Sequence, residues 1–396
     1  MTVDQTPRLG VGMVGYAFMG AAHTQAWSSA PRFFDLPLRP HTAVLCGRDA
    51  SKVAEAADRL GWESTETDWQ AMLARSDVDL VDICTPGDTH MEIAVAALDA
   101  GKHVLCEKPL ANSVAEAEVM ATAAERARAR GVRAMVGFTY RRVPAIGLAR
   151  RLIAEGRLGE IRHVRAQYLQ DWLADDGVPL SWRLQKDRAG SGALGDIGAH
   201  VIDLTQFITG DRIVGVAGML ETFVKERPLP ESTGGLGGRP GDPAGAGRGE
   251  VTVDDAAAFL ARFGGGAQGV FEATRFATGR KNAIRIEVNG SHGSLAFDFE
   301  DMNLLHFYDA RDDAAIAGFR RILVTEADHP YVHAWWPPGH LLGYEHGFTH
   351  QVVDLVNAIA AGEDPAPSFA DGLQVQRVLE AVEQSSDKRG WQEVGA

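Results

Sequence analysis

The chain has 396 residues, with 39 Lys and Arg against 53 Asp and Glu, a formal charge of −14. A hydrophobic share of 45% and a charged share of 23% fit a globular protein of two or three domains and exclude global disorder and a collagen-like rod. The acidic balance leaves no basic footprint for nucleic acid beyond scattered arginines near 126–133 and 141–151, and it suits small, uncharged ligands.

In chain order, residues 9–14 form a short apolar run ending in glycine, and 18–29 follow with a helical pattern. A second apolar run at 43–46 precedes a helical stretch at 49–60. Further short runs lie at 79–83, His103–Cys106 and 134–137, with helical patterns at 90–100 and 114–129 between them. Strands alternating with helices predict βαβ units and a parallel sheet in a first domain over 1–140. The runs lack strict polar alternation, as strands covered on both faces do. After about residue 150 the pattern changes to longer strands, at 161–169, 213–224, 256–263, 267–276, 283–288 and 294–299. Gly264, Gly265 and Gly266 mark a hairpin. A helix is predicted at 195–208, and two more, at 346–361 and 370–386, close the chain. The expected second domain, 141–396, is α+β with a large open, mostly antiparallel sheet. Within it, 227–250 is rich in Gly and Pro and reads as a surface loop.

No stretch of about 18 apolar residues is present, so no membrane span is expected. The opening MTVDQTPRLG lacks the charged and apolar regions of a signal peptide. Cys46, Cys84 and Cys106 lie in or just after apolar runs. An odd count there reads as reduced thiols in a cytoplasmic protein.

The segment GMVGYAFMG over 12–20 follows the first strand and opens the first helix. It reads as a dinucleotide fingerprint with Gly15, Ala17 and Gly20 in the three glycine places, and Phe18 and Met19 between. Such glycines permit a tight turn and close approach of backbone to a pyrophosphate at a helix N-terminus. Ala17 departs from the pattern by one methyl group. The second strand of this motif usually ends in an acid that holds the ribose of NAD. Here Cys46, Gly47 and Arg48 stand in that region. Loss of the acid removes repulsion of a 2′-phosphate, and a guanidinium can pair with it. The cofactor expectation is therefore NAD(P), leaning toward NADP. The alternative is that Arg48 faces solvent while Asp49 caps the next helix.

Thr85 and Pro86 follow the strand at 79–83, and Glu107, Lys108 and Pro109 follow HVLC. With the fingerprint and GALGDIGAH over 192–200, this ordered set resembles the Gfo/Idh/MocA oxidoreductase family along nearly the whole chain. The resemblance implies a homo-oligomer, a dimer or tetramer, that commonly associates through the sheet face. It implies hydride transfer between NAD(P) and a sugar or polyol, oxidising a secondary hydroxyl to a ketone. Levoglucosan oxidised at C3 is one candidate; an inositol, a glucoside or a keto-sugar reduced in the cell are others. A non-catalytic dinucleotide-binding sensor is the reading from another class.

By the same resemblance Lys108, Asp196 and His200 are the catalytic residues. A neutral imidazole suits proton removal near neutral pH, and residues four apart share a helix face. Thr85, Pro86, His90, Glu107, Lys108 and Arg183 are expected at the cofactor, beside Gly15, Ala17, Phe18, Met19, Gly20, Gly47 and Arg48. Gly87 stands where the family has asparagine. Tyr140, Arg142, Gln170, Asp171, Tyr331 and Trp335 are expected at the substrate with Lys108, Asp196 and His200, since aromatic faces stack on sugar rings and polar groups fix hydroxyls. His346 and His350 have a chelating spacing, but no third ligand is evident and hydride transfer needs no metal, so none is expected.

Overall fold

The computed structural model describes residues 6–231 and 244–395, and the chain divides into two compact units. The first comprises residues 1–142 and 342–373. It begins β1 (Arg8–Val14), α1 (Phe18–Phe33), β2 (Arg39–Cys46), α2 (Ala50–Leu60), β3 (Ser64–Glu66) and α3 (Trp69–Leu73). It continues β4 (Leu80–Ile83), α4 (His90–Asp99), β5 (His103–Cys106), α5 (Val114–Arg128) and β6 (Ala134–Val136). The strands form one parallel sheet in the order β3-β2-β1-β4-β5-β6. That is the doubly wound arrangement the alternating pattern predicts. The central strands are apolar on both faces because both are covered: Val11, Met13, Leu45, Leu80 and Leu105 are buried.

The second unit comprises 143–341 and 374–396. It contains α6 (Pro144–Ala154), β7 (Ile161–Leu169), α7 (Lys186–Ala189), α8 (Ala199–Thr209), β8 (Ile213–Glu221), β9 (Glu226–Pro230) and β10 (Ala244–Glu250). After these come β11 (Ala256–Phe263), β12 (Gln268–Thr274), β13 (Ala283–Gly290), β14 (Gly293–Asp298), β15 (Leu304–Asp309) and β16 (Arg320–Leu323). Two long helices, α9 (Tyr344–Ala361) and α10 (Phe369–Lys388), and the short β17 (Gln392–Glu393) end the chain. Nine strands form a mixed sheet, β16-β15-β14-β13-β7-β12-β11-β8-β17. Only the β7–β12 pair is parallel among its described pairings. Along β11, Ala257, Phe259, Ala261 and Phe263 are buried while Leu260 and Arg262 are exposed. The period of two thus gives one covered and one open face.

The structure departs from the expected organisation in two places. First, the stretch from 141 onward is not all one domain. Helix α9 returns to the first unit, where Phe348, Val352, Leu355 and Val356 join Ala26, Trp27 and Ala30 of α1 in the core. Their spacing is that of one helical face. Second, both ends of the 227–250 segment are strands. Arg227 pairs with Gly249 and Pro228 with Arg248 across β9 and β10; residues 232–243 lie outside the described residues. Gly/Pro-rich sequence cannot build a core, but Arg227 is fully buried. Its guanidinium donates to the carbonyls of Leu173, Asp175 and Val178, which pins the strand locally. Among the described residues no helix is long and apolar enough to cross a membrane.

Candidate active site

The turn after β1 has the build of an anion cradle. Gly15 has φ +100°, and a Cβ there would lie 2.7 Å from the Cys84 carbonyl. A Cβ on Gly20 would lie 2.2 Å from the Gly15 carbonyl oxygen, so only glycine lets α1 start this close to the turn. Ala17 is the N-cap of α1, with no side-chain cap and no acid in the first turn. The first amides of α1 are thus left for a ligand, and Ala17 costs only partly exposed space. These residues fit a dinucleotide pyrophosphate. Phe18 is exposed, stacked 6.3 Å from Tyr344 of α9; Met19 is half-buried.

At the end of β2, a Cβ on Gly47 would strike the Tyr16 ring at 2.1 Å. Arg48 is exposed, and Asp49 caps α2 by accepting from the Lys52 amide at 3.1 Å. The parallel partner strand brings acids to this corner, with Cys46 opposite Glu66. Burial, followed by the charges of Glu66 and Asp68, pushes the Cys46 thiol up to about 12. The sequence reading missed these acids because β3 is only three residues long.

After β4, Thr85 Oγ1 accepts from Thr89 Oγ1 at 2.7 Å, and the Pro86 carbonyl accepts from the Thr89 amide at 3.0 Å. His90 differs from expectation. Its ring nitrogens lie 3.0 Å from the Pro109 carbonyl and 2.9 Å from the Thr85 carbonyl. The ring is committed to bracing those two turns rather than to a ligand. Glu107 also turns inward. It is 4% exposed, with Oε1 2.9 Å from His23 Nε2. Lys108 is half-buried in the turn with the cis Lys108–Pro109 bond. Tyr140 is buried with its ring 6.5 Å from that of Tyr344. Arg142 is a third correction: its Nε donates to Asp354 of α9 at 3.1 Å and its Nη2 to the Ala366 carbonyl. A buried guanidinium so occupied holds the returning segment rather than a sugar.

In the second unit, Asp196 lies in one turn of π-helix, Leu194–Gly198, that runs into α8. The sequence pattern predicts a continuous helix there. Asp254, from the strand connection before β11, accepts from the Gly192 and Leu194 amides at 2.7 Å each. A Cβ on Gly192 would lie 1.7 Å from the Asp254 carbonyl oxygen, so the widened turn is fastened from outside. Single π-turns are often found at functional sites. Arg275 is fully buried, with Nη1 3.5 Å from Asp196 Oδ2 and Nη2 donating to the Asp254 carbonyl at 3.1 Å. The Trp172 ring lies 5.7 Å from its guanidinium. His200 is 8% exposed. Its ring is 5.8 Å from that of Tyr168 on β7, whose hydroxyl donates to Asn282 at 2.7 Å. Arg275, Asp254 and Asn282 were not legible as site residues.

Gln170 joins the same network, donating to Asn282 at 2.9 Å and accepting from Trp172 Nε1 at 3.0 Å. Asp171 instead pairs with Lys281 at 2.7 Å and accepts from the Gly279 amide. Lys281 and these bonds hold its carboxyl below the usual range, so it anchors the 277–281 turn. Arg183 stacks over Trp182 at 4.5 Å. Tyr331 adopts φ +66°, an uncommon conformation for an aromatic residue. Trp335 lies 6.2 Å from Trp336 in the same loop. The two histidines of α9 do not converge. His346 Nδ1 accepts from the Gly343 amide, and His350 Nδ1 bonds the Arg142 carbonyl.

Comparison with known proteins decides the family. The pattern described as oxidoreductase family, NAD-binding Rossmann fold, matches residues 9–138, and that of the GFO/IDH/MocA C-terminal domain matches 146–296. The chain belongs to the Gfo/Idh/MocA oxidoreductase family. Among similar Gfo/Idh/MocA proteins, levoglucosan dehydrogenase of Pseudarthrobacter phenanthrenivorans is 42% identical over 98% of both chains. A solved structure of levoglucosan dehydrogenase in complex with NADH and levoglucosan is 41% identical, with TM-score 0.91 over 98% of this chain and 100% of that one. An oxidoreductase domain protein from Kribbella flavida is 73% identical, with TM-score 0.94 over 98% and 100%. The first unit is therefore an NAD-binding Rossmann fold of an oxidoreductase.

Proposed function

We propose that this protein is an NAD-dependent sugar dehydrogenase that oxidises a secondary hydroxyl of levoglucosan, at C3, to a ketone. The observation that carries the reading is the NADH and levoglucosan complex of a relative similar over almost the entire chain. Gly15, Ala17 and Gly20 hold the pyrophosphate, and Thr85 and Pro86 border the rest of the cofactor. NAD, when bound, supplies the hydride acceptor. Oxidation also removes the hydroxyl proton. His200 takes that proton, Asp196 orients the hydroxyl or the imidazole, and Lys108 polarises the oxygen. Gln170, Tyr140, Tyr331 and Trp335 contribute polar and aromatic contacts to the sugar. Nicotinamide reduction, followed by absorbance with levoglucosan, myo-inositol and methyl glucoside, tests this. Turnover of levoglucosan to a 3-keto product is expected; turnover of inositol alone would move the substrate and keep the family.

The expected lean toward NADP rested on the missing acid at Cys46 and Gly47 and on the guanidinium of Arg48. Glu66 and Asp68 at the same corner oppose a 2′-phosphate, which favours NAD.

We also propose that the protein is a homo-oligomer joined through the open face of the second unit's sheet. Leu260 lies opposite Val270 and Ala217, and Ala258 opposite Met219. Met219, Leu260 and Val270 are 63%, 55% and 51% exposed, a contiguous apolar patch of the kind that marks association. Light scattering is expected to report a dimer or tetramer, and Val270→Glu a smaller species.

A further inference from the structure

One buried cluster of titratable groups in the first unit has no part in the reading above. His23 of α1 and Asp82 of β4 are 1% and 0% exposed. His23 Nδ1 lies 3.0 Å from both Asp82 oxygens, and its Nε2 lies 2.9 Å from Glu107 Oε1. Trp27 Nε1 donates to Asp82 Oδ2 at 2.7 Å, and the Cys84 thiol donates to Oδ1 at 3.5 Å. The other groups around the ring are uncharged. Phe348 of α9 packs 5.4 Å from it. Burial holds the Tyr344 hydroxyl, and the Cys106 thiol beside Glu107, in their protonated forms by raising both pKa values.

A ring that meets a carboxylate at each nitrogen satisfies both only when both nitrogens donate. A neutral imidazole would turn a lone pair onto an acceptor. The geometry therefore suits an imidazolium, a charge-assisted clamp between the two acids. Burial opposes that charge; Asp82, with Cys84 beside it, outweighs burial and raises the His23 pKa well above its ordinary value.

The clamp reaches the chemistry through Glu107. Its other oxygen, Oε2, accepts from the Lys108 amide at 3.3 Å. Gly137 lies close against the oxygen that meets His23, since a Cβ there would lie 2.7 Å from Oε1. His23 sits on the helix whose N-terminus forms the dinucleotide cradle, one turn beyond Gly20. We propose that His23 is a positioning residue: by gripping Asp82 and Glu107 together, it fixes the turn that carries Lys108 and ties it to the cofactor helix. The inference rests on the reading of Lys108 as the residue that polarises the substrate oxygen.

The test is a double-mutant cycle of His23→Gln with Lys108→Ala, measured on protein saturated with NAD. His23→Gln is expected to lower kcat about tenfold or more while NADH affinity, read by fluorescence, changes less than about threefold. In the Lys108→Ala background the same change is expected to alter the residual rate less than about twofold. Equal losses in both backgrounds would overturn the proposal, because a merely structural residue would act in each. A Lys108→Ala variant as active as the parent would instead remove the reading on which it rests. Should His23→Gln not fold, neutron diffraction of the NADH-bound parent decides. Deuterium on both His23 nitrogens at about pH 8 is expected, and a neutral ring there overturns the clamp.

Discussion

Two acidic groups, one in each unit, are held by different cations. In the first unit Glu107 shares His23 with Asp82; in the second, Asp196 rests beside Arg275. Both cations are buried, but they differ in what can undo them. A guanidinium keeps its charge at every accessible pH. An imidazolium keeps it only while its carboxylates outweigh burial. The second unit therefore has a fixed electrostatic anchor, and the first has one that titrates. The helix turn around Asp196 is further fastened by Asp254 through backbone amides.

Removing the fixed anchor gives the largest expected effect. Arg275→Met removes a fully buried guanidinium that lies 3.5 Å from the partly exposed Asp196 carboxylate and is expected to cost about 2 kcal/mol in urea unfolding. Activity at saturating NAD is expected to fall with it, with partial recovery in Arg275→Lys. A loss below about 1 kcal/mol would show that Asp254 alone holds the turn.

Next comes the titrating anchor. The folded pKa of His23 is raised above an unfolded value of about 6.5. Its contribution to stability is therefore full below about pH 6.5 and is lost as pH rises toward the folded pKa, by about 1.4 kcal/mol per pH unit. The stability difference between the parent and His23→Gln is expected to shrink from about pH 6.5 to 8.5. A difference that grows with pH would reverse the assignment of charge. No such slope is expected between Arg275→Met and the parent.

The smallest effect belongs to exposed charges. Arg48 is exposed and Glu66 partly exposed near the end of β2, where a surface charge counts for less than about 1 kcal/mol. Glu66→Gln is expected to improve NADP affinity relative to NAD by about threefold, and Arg48→Ala to reduce it by a similar factor. Equal changes for both cofactors would show that neither residue senses the 2′-position.

The parallel sheet is legible because short, mostly apolar runs alternate with helical patterns, although β4 carries Asp82 and β3 is polar. The glycine turn is legible because its residues are contiguous. Other elements resist reading. β15 and β16 were not anticipated, and β16 is largely exposed, so no apolar pattern marks it. β10 consists mostly of glycine and alanine and is held by pairing with β9. Of the candidate residues, His90, Glu107 and Arg142 were expected at ligands from the family resemblance, and Asp171 from its place at a strand end. The fold commits their polar atoms to other protein groups instead, because a buried polar atom must find a partner wherever one lies.

Local patterning by itself determined the doubly wound sheet, the open second sheet and the dinucleotide turn, whereas Lys108, Asp196 and His200 were reached through resemblance to a family. The two sheets and the turn depend on neighbours a few residues apart, where periodicity and backbone sterics act. Only the tertiary structure decided the return of α9 to the first unit, and the partners of the buried charges. His23 meets Asp82 across 59 positions and Glu107 across 84. No spacing rule spans such gaps, and what brings these groups together is a core in which buried polar atoms must bond to one another rather than to water.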